Sequence, residues 1–268
     1  GNEGAKVRML STAFASLVVD LLAPERLGPS HVQQATLREV FTLLWGLVTV
    51  MDTARRGVMI NSKVIKPVVA AAGSVTEAPT ALAGLGVLTA IALEDAAIPR
   101  IHRSGMVGAA FRLASKHLDD DDVRRALCVF IANAVYTARE YDDAAGYDAL
   151  SIVAATTTSD DARLFAAGVG ALRSLACCTD AVKEELLRNG TVQRVFASAH
   201  CTLPEVRERV LRFAEVLARD PACRGPLVTD LDVLQTIVTW TDDALAMPEP
   251  ARRPTPLSTD FSPLAQLL

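Results

Sequence analysis

The chain has 268 residues, of which 50% are hydrophobic and 22% are charged, and its formal net charge is −4. This composition is typical of a globular protein and excludes disorder along the whole chain. The net charge supplies no overall basic field, which disfavours nucleic acid as a partner, and no apolar run reaches the roughly 18 residues of a transmembrane segment.

The five cysteines indicate a reducing environment rather than a disulfide framework. They are odd in number, no two of them have C-x-x-C spacing, and no secretory apolar region opens the sequence. We therefore expect an intracellular, cytoplasmic protein. Cys177 and Cys178 cannot both face one metal from a regular helix, because neighbouring residues lie about 100° apart around its axis. With no ligand spacing among the four histidines, we expect neither a metal nor a cofactor.

Helix signals dominate along the chain, and sustained strand alternation is missing. Apolar residues recur at spacings of three and four in "TLREVFTLLWGLV", "DVRRALCVFIANAV", "DARLFAAGVGALRSLA" and "EVRERVLRFAEVLA". The last three of these segments follow "DDDD", "TTTSDD" and "TLPE", and acidic residues suit the positive N-terminus of a helix. The sequence therefore predicts an all-α protein.

A unit of about forty residues repeats along the chain. One set of landmarks is formed by turn residues, with spacings of 43, 41, 44 and 40: Ser62, Gly105, Gly146, Gly190 and Asp230. A second set follows the long helices, with spacings of 44, 43, 41 and 41: Gly46, Ala90, Asn133, Ser174 and Glu215. Because the two sets agree on one period, the sequence predicts a repeat architecture.

With this period, "LRNGTVQRVFASA" and "GALRSLA" resemble the second helix and the third-helix core of the armadillo repeat family, of a type other than the importins. The resemblance implies a right-handed α-solenoid of about five three-helix repeats. It places an N-terminal capping helix in residues 1–29, the superhelix in residues 30–246 and a proline-rich tail in residues 247–268. Since stacked repeats bury each other's apolar faces, we expect these residues in the core: Leu172, Leu175, Ile131, Val135, Phe213 and Leu217.

In that family the third helices line a concave groove that binds peptides or proteins, so the resemblance implies a non-catalytic scaffold. The importin branch reads basic signals with Asn and Trp ladders. Here only Asn133 keeps the Asn position, and no Trp stands at the Trp position, which is occupied by Thr42, Gly86, Val129, Gly170 and Leu211. Recognition of a basic signal in the importin manner is therefore not expected.

The other residues of this face predict a protein or peptide partner of mixed apolar and acidic character. Small residues such as Gly86, Ala90 and Gly170 would admit a partner backbone, and arginines would hold carboxylates. The candidate partner-binding residues are Trp45, Thr89, Arg125, Asn133, Tyr136, Arg173, Ser174 and Arg207. In the alternative interpretation, the small residues serve tight repeat packing, and the arginines are solvated or pair with the acids of "DDDD" and "SDD".

Other functional classes stay open. No catalytic or phosphate-binding motif is present, so we do not expect an enzyme. The chain could instead be a structural subunit that uses its convex and end surfaces. A nucleic-acid binder would use Arg124, Arg125, Arg163, Arg207, Arg209 and Arg212.

The tail departs from the helical pattern, because five prolines fall between residues 248 and 263. It is predicted either to stay undocked or to dock on this superhelix or on a neighbouring subunit. The docking residues would be Phe261, Leu264, Leu267 and Leu268.

Overall fold

The computed structural model describes residues 13, 16–50, 64–93, 104–229, 233, 235, 236 and 238–240. Within these residues every regular element is a helix, which confirms the all-α prediction. Residues 1–149 and residues 150–268 form two compact units.

The first unit is built on three long helices joined by shorter ones. Ahead of them, residues 16–21 are helical and bury Val18 and Leu22. The helices that follow are α1 (His31–Val50), α2 (Ile65–Ala71), α3 (Ala78–Ala92), α4 (Met106–Ala114), α5 (Asp121–Ala134) and α6 (Ala138–Ala145).

Helix α3 is the centre of the first unit and packs against both α1 and α5. Twelve of its 15 residues are buried, as expected for a helix that is apolar around its whole circumference. Pro79 stands in its first turn, where a missing backbone N–H costs no helical hydrogen bond. The first unit therefore has its core between successive long helices, which is the arrangement that a repeat requires.

The second unit repeats the pattern with two long helices, α8 and α11, that pack against each other. Its helices are α7 (Ala149–Ala155), which starts at the unit boundary, α8 (Ala162–Cys178), α9 (Asp180–Arg188), α10 (Thr191–Ala197), α11 (Pro204–Ala218) and α12 (Pro221–Thr229). Leu172, Leu175, Phe213 and Leu217 are fully buried here, as are Ile131 and Val135 in the first unit. The predicted core positions are thus confirmed.

The acidic residues before the long helices cap them. The Asp120 carboxylate accepts hydrogen bonds from the backbone N–H groups of Asp122 (2.9 Å) and Val123 (3.1 Å) at the start of α5. Asp161 accepts from the N–H groups of Arg163 (2.7 Å) and Leu164 (3.4 Å) at the start of α8. Each carboxylate satisfies backbone donors that have no partner inside the helix, so these two predicted helix starts are confirmed.

The turn before each second helix is marked by a left-handed residue. Gly105 (φ 72°) precedes α4, Asp148 (φ 57°) precedes α7 and Gly190 (φ 74°) precedes α10. Gly146 lies in the predicted turn, which spans residues 146–148, but its backbone is right-handed (φ −59°), so it does not supply the left-handed position of that turn. Asp148 takes that place, with spacings of 43 (105 to 148) and 42 (148 to 190) residues, since Asp tolerates the left-handed region better than most residues. Ser62 and Asp230 lie outside the described residues.

Candidate interaction surfaces

The long helices carry most of the predicted partner-binding residues. Five of these residues belong to the first unit and three to the second, and each unit is considered by itself. In the first unit, Trp45 lies on α1 and Thr89 on α3, whereas Asn133 lies near the end of α5. Their burial decides how much of each side chain a partner could reach.

Trp45 is packed against Gly86 and is only 7% exposed. A Cβ atom at Gly86 would lie 2.5 Å from Cδ2 of the indole, so the glycine makes room for the ring. The prediction that Gly86 admits a partner backbone is therefore wrong, because Trp45 fills that space. The indole Nε1 is buried and has no hydrogen-bond partner in the described part of the chain. Partner binding by Trp45 stays a prediction, and its covered ring offers a partner little surface.

Other predicted positions are also largely covered or bonded to their own helix. Thr89 is 8% exposed and, in the second unit, Ser174 is 4% exposed. The Asn133 side-chain amide donates to the carbonyl of Val129 at 2.7 Å. Tyr136 is exposed, and its hydroxyl donates to the carbonyl of Ala132 at 2.7 Å. In the first unit, Tyr136 is thus the predicted residue with the most accessible side chain.

Two of the predicted arginines are held by neighbouring groups. The Arg125 guanidinium lies 2.7 Å from a carboxylate oxygen of Asp122, one turn earlier on α5. In the second unit, Nε of Arg207 donates to the carbonyl of Cys201 at 2.6 Å, and its guanidinium lies 5.8 Å from the ring centroid of Trp240. These contacts agree with the interpretation in which arginines pair within the chain.

Arg173 differs from both. It is exposed on α8 and, among the residues that the structure describes, forms no hydrogen bond or ion pair. Its charge acts on Glu215 of α11, whose carboxylate pairs with Arg219 at 2.7 Å. The pKa of Glu215 is lowered, first by the hydrogen bond and charge of Arg219, and then by the charges of Arg173 and Arg212. We call Arg173, Arg212 and Arg219 the arginine cluster.

Two members of the arginine cluster pair with carboxylates, and the third, Arg173, pairs with none among the described residues. Arg212 pairs with Glu208 at 2.9 Å, and Arg219 pairs with Glu215. Arg173 is therefore the member whose guanidinium donors are open to an incoming group. Leu211, one turn before Glu215 on α11, is half-buried and adds apolar surface nearby.

The cysteines differ in accessibility. Cys177 is exposed, whereas Cys178 is half-buried and its thiol donates to the carbonyl of Ser174 at 3.2 Å. Burial raises the pKa of Cys201 to about 11, although the charge of Arg207 acts in the opposite direction. Burial, followed by the charge of Asp220, raises the pKa of Cys223 to about 11. Neither buried thiol is a ready nucleophile at neutral pH, because the reactive form is the thiolate.

The described residues contain no group of three or more His, Cys, Asp or Glu side chains that could hold a metal ion. In the same part of the chain, no helix is both long and apolar enough to span a bilayer. The predicted docking residues of the tail, Phe261, Leu264, Leu267 and Leu268, lie outside the described residues.

An apolar pocket of about 360 Å³ opens in the second unit between α11 and α12. The sequence does not predict this pocket. The signal was available in the spacing of Leu211, Ala214 and Ala218 on one face of α11, but the helical pattern does not say whether a face is covered. The pocket, called here the α11–α12 pocket, is lined by Leu211, Ala214, Glu215, Ala218, Arg224, Leu227, Val228 and Val233.

Comparison with known proteins gives a fold but no sequence relative. No sequence-family model matches the chain, and no curated protein matches it in sequence. A designed armadillo repeat protein superimposes with a TM-score of 0.67 at 15% identity, covering 88% of this chain and 94% of its own. The superposition on an engineered protein has a TM-score of 0.69 at 18% identity and covers 84% of this chain and 87% of the engineered one. The superposition on a designed armadillo repeat protein in complex with the peptide (KR)4 has a TM-score of 0.65 at 16% identity. It covers 83% of this chain and 90% of the designed one.

These likenesses and the repeated helices define the class of protein. The chain is an α-solenoid with the fold of armadillo repeat proteins, which confirms the predicted fold class. At identities of 14 to 18% the likeness concerns the fold.

Proposed function

We propose that this protein is a non-catalytic scaffold that binds a protein or peptide segment of mixed apolar and acidic character through its long helices. The fold supports the proposal, since one similar structure is that of a designed protein in complex with a peptide. The observation that supports the proposal most directly concerns Arg173 of the arginine cluster. Its guanidinium is exposed and, among the described residues, forms no hydrogen bond or ion pair.

The chemistry of Arg173 favours an acidic group on the partner. A guanidinium offers several N–H donors in a rigid fork that matches a carboxylate, and such charge-assisted bonds are stronger than neutral ones. Arg125 and Arg212 already pair with nearby carboxylates at 2.7 and 2.9 Å, so fewer of their N–H donors are available to a partner. Leu211 would supply apolar contact beside that ion pair.

The proposal includes an intracellular location. All five cysteines are free thiols, and free thiols persist where the environment is reducing. The raised pKa of Cys201 and of Cys223 supports a structural role for these two buried residues.

The test is an affinity purification of the full chain with Arg173→Glu. This substitution removes the guanidinium N–H donors and places a carboxylate against the acidic group of the partner. We therefore expect recovery of the specific partner to fall about tenfold or more. The matched control is Arg188→Glu, an equally drastic change at another exposed arginine of the second unit, on the short helix α9. Quantitative mass spectrometry of the bound fractions gives the ratio between the two variants.

Loss of the same partners from both variants would indicate a general charge effect rather than a site at Arg173. Retention of all partners by Arg173→Glu would contradict the proposed surface. Circular dichroism of both variants shows whether they fold, and a side chain as exposed as Arg173 is expected to leave the fold intact.

A further inference from the structure

The α11–α12 pocket is apolar inside, and its charged groups are already bonded. Leu211, Ala214 and Ala218 form one wall along a single face of α11, and Leu227 and Val228 of α12 form the other. Arg224 Nε donates to the carbonyl of Ala218 at 2.7 Å, and Glu215 pairs with Arg219. A molecule or segment that fits this pocket is therefore apolar and carries no charge of its own.

The pocket lies where a repeat protein needs a cover. In an α-solenoid each long helix is covered by the next repeat, and the terminal repeat needs a cap. Helix α8 is covered by α11. Beyond α12 the described residues 233, 235, 236 and 238–240 are helical, and of these only Val233 lines the pocket, so this segment leaves part of the α12 wall uncovered. Val228, on the pocket wall, is consequently 48% exposed.

The sequence beyond Trp240 contains one segment with the required chemistry. Residues 261–268, "FSPLAQLL", carry no charged side chain, whereas residues 241–260 carry six. Phe261, Leu264 and Leu268 are three and four residues apart, which places them on one face of a helical turn. Pro263 would stand in the first turn of such a helix, where proline is tolerated.

The segment can reach the pocket within the same chain. Trp240 lies in the second unit, with its ring centroid 6.4 Å from that of Phe196. From Trp240 to Phe261 there are 21 residues, which span up to about 70 Å when extended. Helix α11 is only about 22 Å long. A short linker also gives an effective concentration in the millimolar range, which favours the attached segment over a second copy.

We propose that residues 261–268 dock in cis on the α11–α12 pocket and cap the apolar end of the second unit. The occupant is the chain's own segment without charged side chains, with the side chains of Phe261, Leu264 and Leu268 inserted toward Leu211, Leu227 and Val228. The pocket shares Leu211 and Glu215 with the surroundings of Arg173, so the docked segment and the partner proposed above would compete for Leu211, but the docking does not depend on that partner.

The experiment uses the full chain with photoreactive benzoylphenylalanine in place of Leu264. After irradiation, mass spectrometry should find crosslinks to peptides of α11 or α12 of the same molecule. Val228→Asp puts a charge into the pocket wall, so we expect the docking equilibrium, and with it the crosslink yield, to fall about tenfold. The matched control is Val238→Asp, because Val238 is 50% exposed and does not line the pocket; its yield should be unchanged.

Four results would overturn the proposal. A crosslinked dimer on a denaturing gel would show that a second copy, rather than the same chain, is the occupant. Equal yields in Val228→Asp and Val238→Asp, or crosslinks confined to other helices, would show that the segment does not use this pocket. A copurifying apolar small molecule, released from wild type and lost in Val228→Asp, would assign the pocket to a ligand.

A second pocket variant is used in case Val228→Asp destabilises the fold. Ala218→Glu introduces a charge from the opposite wall at an exposed position. If Val228→Asp lowers the melting temperature, Ala218→Glu decides the outcome. A tenfold lower yield in this variant supports docking, and an unchanged yield contradicts it.

Discussion

At the scale of single residues, the arginines of the long helices differ in what they contact. Arg125 is held by Asp122, and Arg207 by a backbone carbonyl. Arg173 is exposed and, within the part of the chain that the structure describes, interacts with Glu215 through its charge without a hydrogen bond. The acid three residues before Arg125 is visible in the sequence, so that pairing could have been predicted. The surroundings of Arg173 could not, because Glu215 is 42 residues away and reaches it only when α8 and α11 pack.

The titration of Glu215 tests this arrangement. We expect its pKa, followed by NMR of the side-chain carboxyl, to lie below the ordinary value for glutamate. Arg219→Gln should raise that pKa more than Arg173→Gln does, because Arg219 contributes a hydrogen bond as well as its charge. Since a lowered carboxyl pKa stabilises the ionised folded form, this contribution is present at neutral pH and is lost as pH falls through the folded pKa.

Arg163→Gln is the control for that titration. Arg163 lies on the same helix as Arg173 but neighbours Asp161, 3.7 Å away. Its removal should leave the Glu215 pKa unchanged. A Glu215 pKa that does not respond to Arg173→Gln would show that the two side chains are not electrostatic neighbours.

The turn landmarks give a second prediction. Gly190 has a left-handed backbone, and an added Cβ there would meet Nη1 of Arg194 at an ordinary contact distance of 3.5 Å, whereas Gly146 is right-handed helical. Gly190→Ala should therefore lower the free energy of unfolding by about 1 to 2 kcal/mol. Gly146→Ala should leave it unchanged or raise it by up to about 1 kcal/mol. Urea denaturation followed by circular dichroism measures both; equal effects would contradict the difference in backbone conformation between Gly190 and Gly146.

At the scale of helices, α3 shows what a buried long helix requires. Both of its neighbours pack closely, and Gly86 allows the flat indole of Trp45 to lie against the α3 backbone. The sequence predicts α3 as an apolar helix, but it does not predict this contact, because Trp45 and Gly86 are 41 residues apart. From the sequence alone, Gly86 is therefore expected to leave an opening for a partner.

A pair of Gly→Ala substitutions tests the helix contact. Gly86→Ala would bring a methyl group to 2.5 Å from the Trp45 ring, and such overpacking should cost about 1 to 3 kcal/mol. Gly46→Ala on α1 is the matched control, since an added Cβ there meets nothing within 4 Å. It should raise stability by about 0.5 to 1 kcal/mol, because alanine is the better helix former. Equal urea midpoints for the two variants would contradict the packing.

At the scale of the whole molecule, the repeat period and the buried core residues can be predicted from the sequence. Which residues of the long helices are exposed to a partner is harder to predict. The period follows from spacing alone, and Leu172 and Phe213 follow from helical periodicity. Surface assignment depends on which helix covers which face, as Ser174 and Thr89 show by being buried. The α11–α12 pocket was missed for the same reason.

The charge distribution predicts weak binding of nucleic acid. Of the six arginines that could contact phosphates, Arg124, Arg125, Arg163 and Arg212 have carboxylates close by. We therefore expect fluorescence anisotropy with duplex DNA at 150 mM salt to show binding no tighter than the nonspecific range, about 1 to 100 µM. Submicromolar binding that weakens steeply with added salt would contradict this prediction.

The two tryptophans lie in different units and in different surroundings. The Trp45 indole is buried against Gly86, whereas Trp240 is half-exposed and near Phe196 and Arg207. The protein thus has one tryptophan in each unit, with emission expected at shorter wavelength from Trp45 than from Trp240. Trp45→Phe and Trp240→Phe would leave a single reporter, so that the loss of structure around each ring can be followed separately in the intact chain.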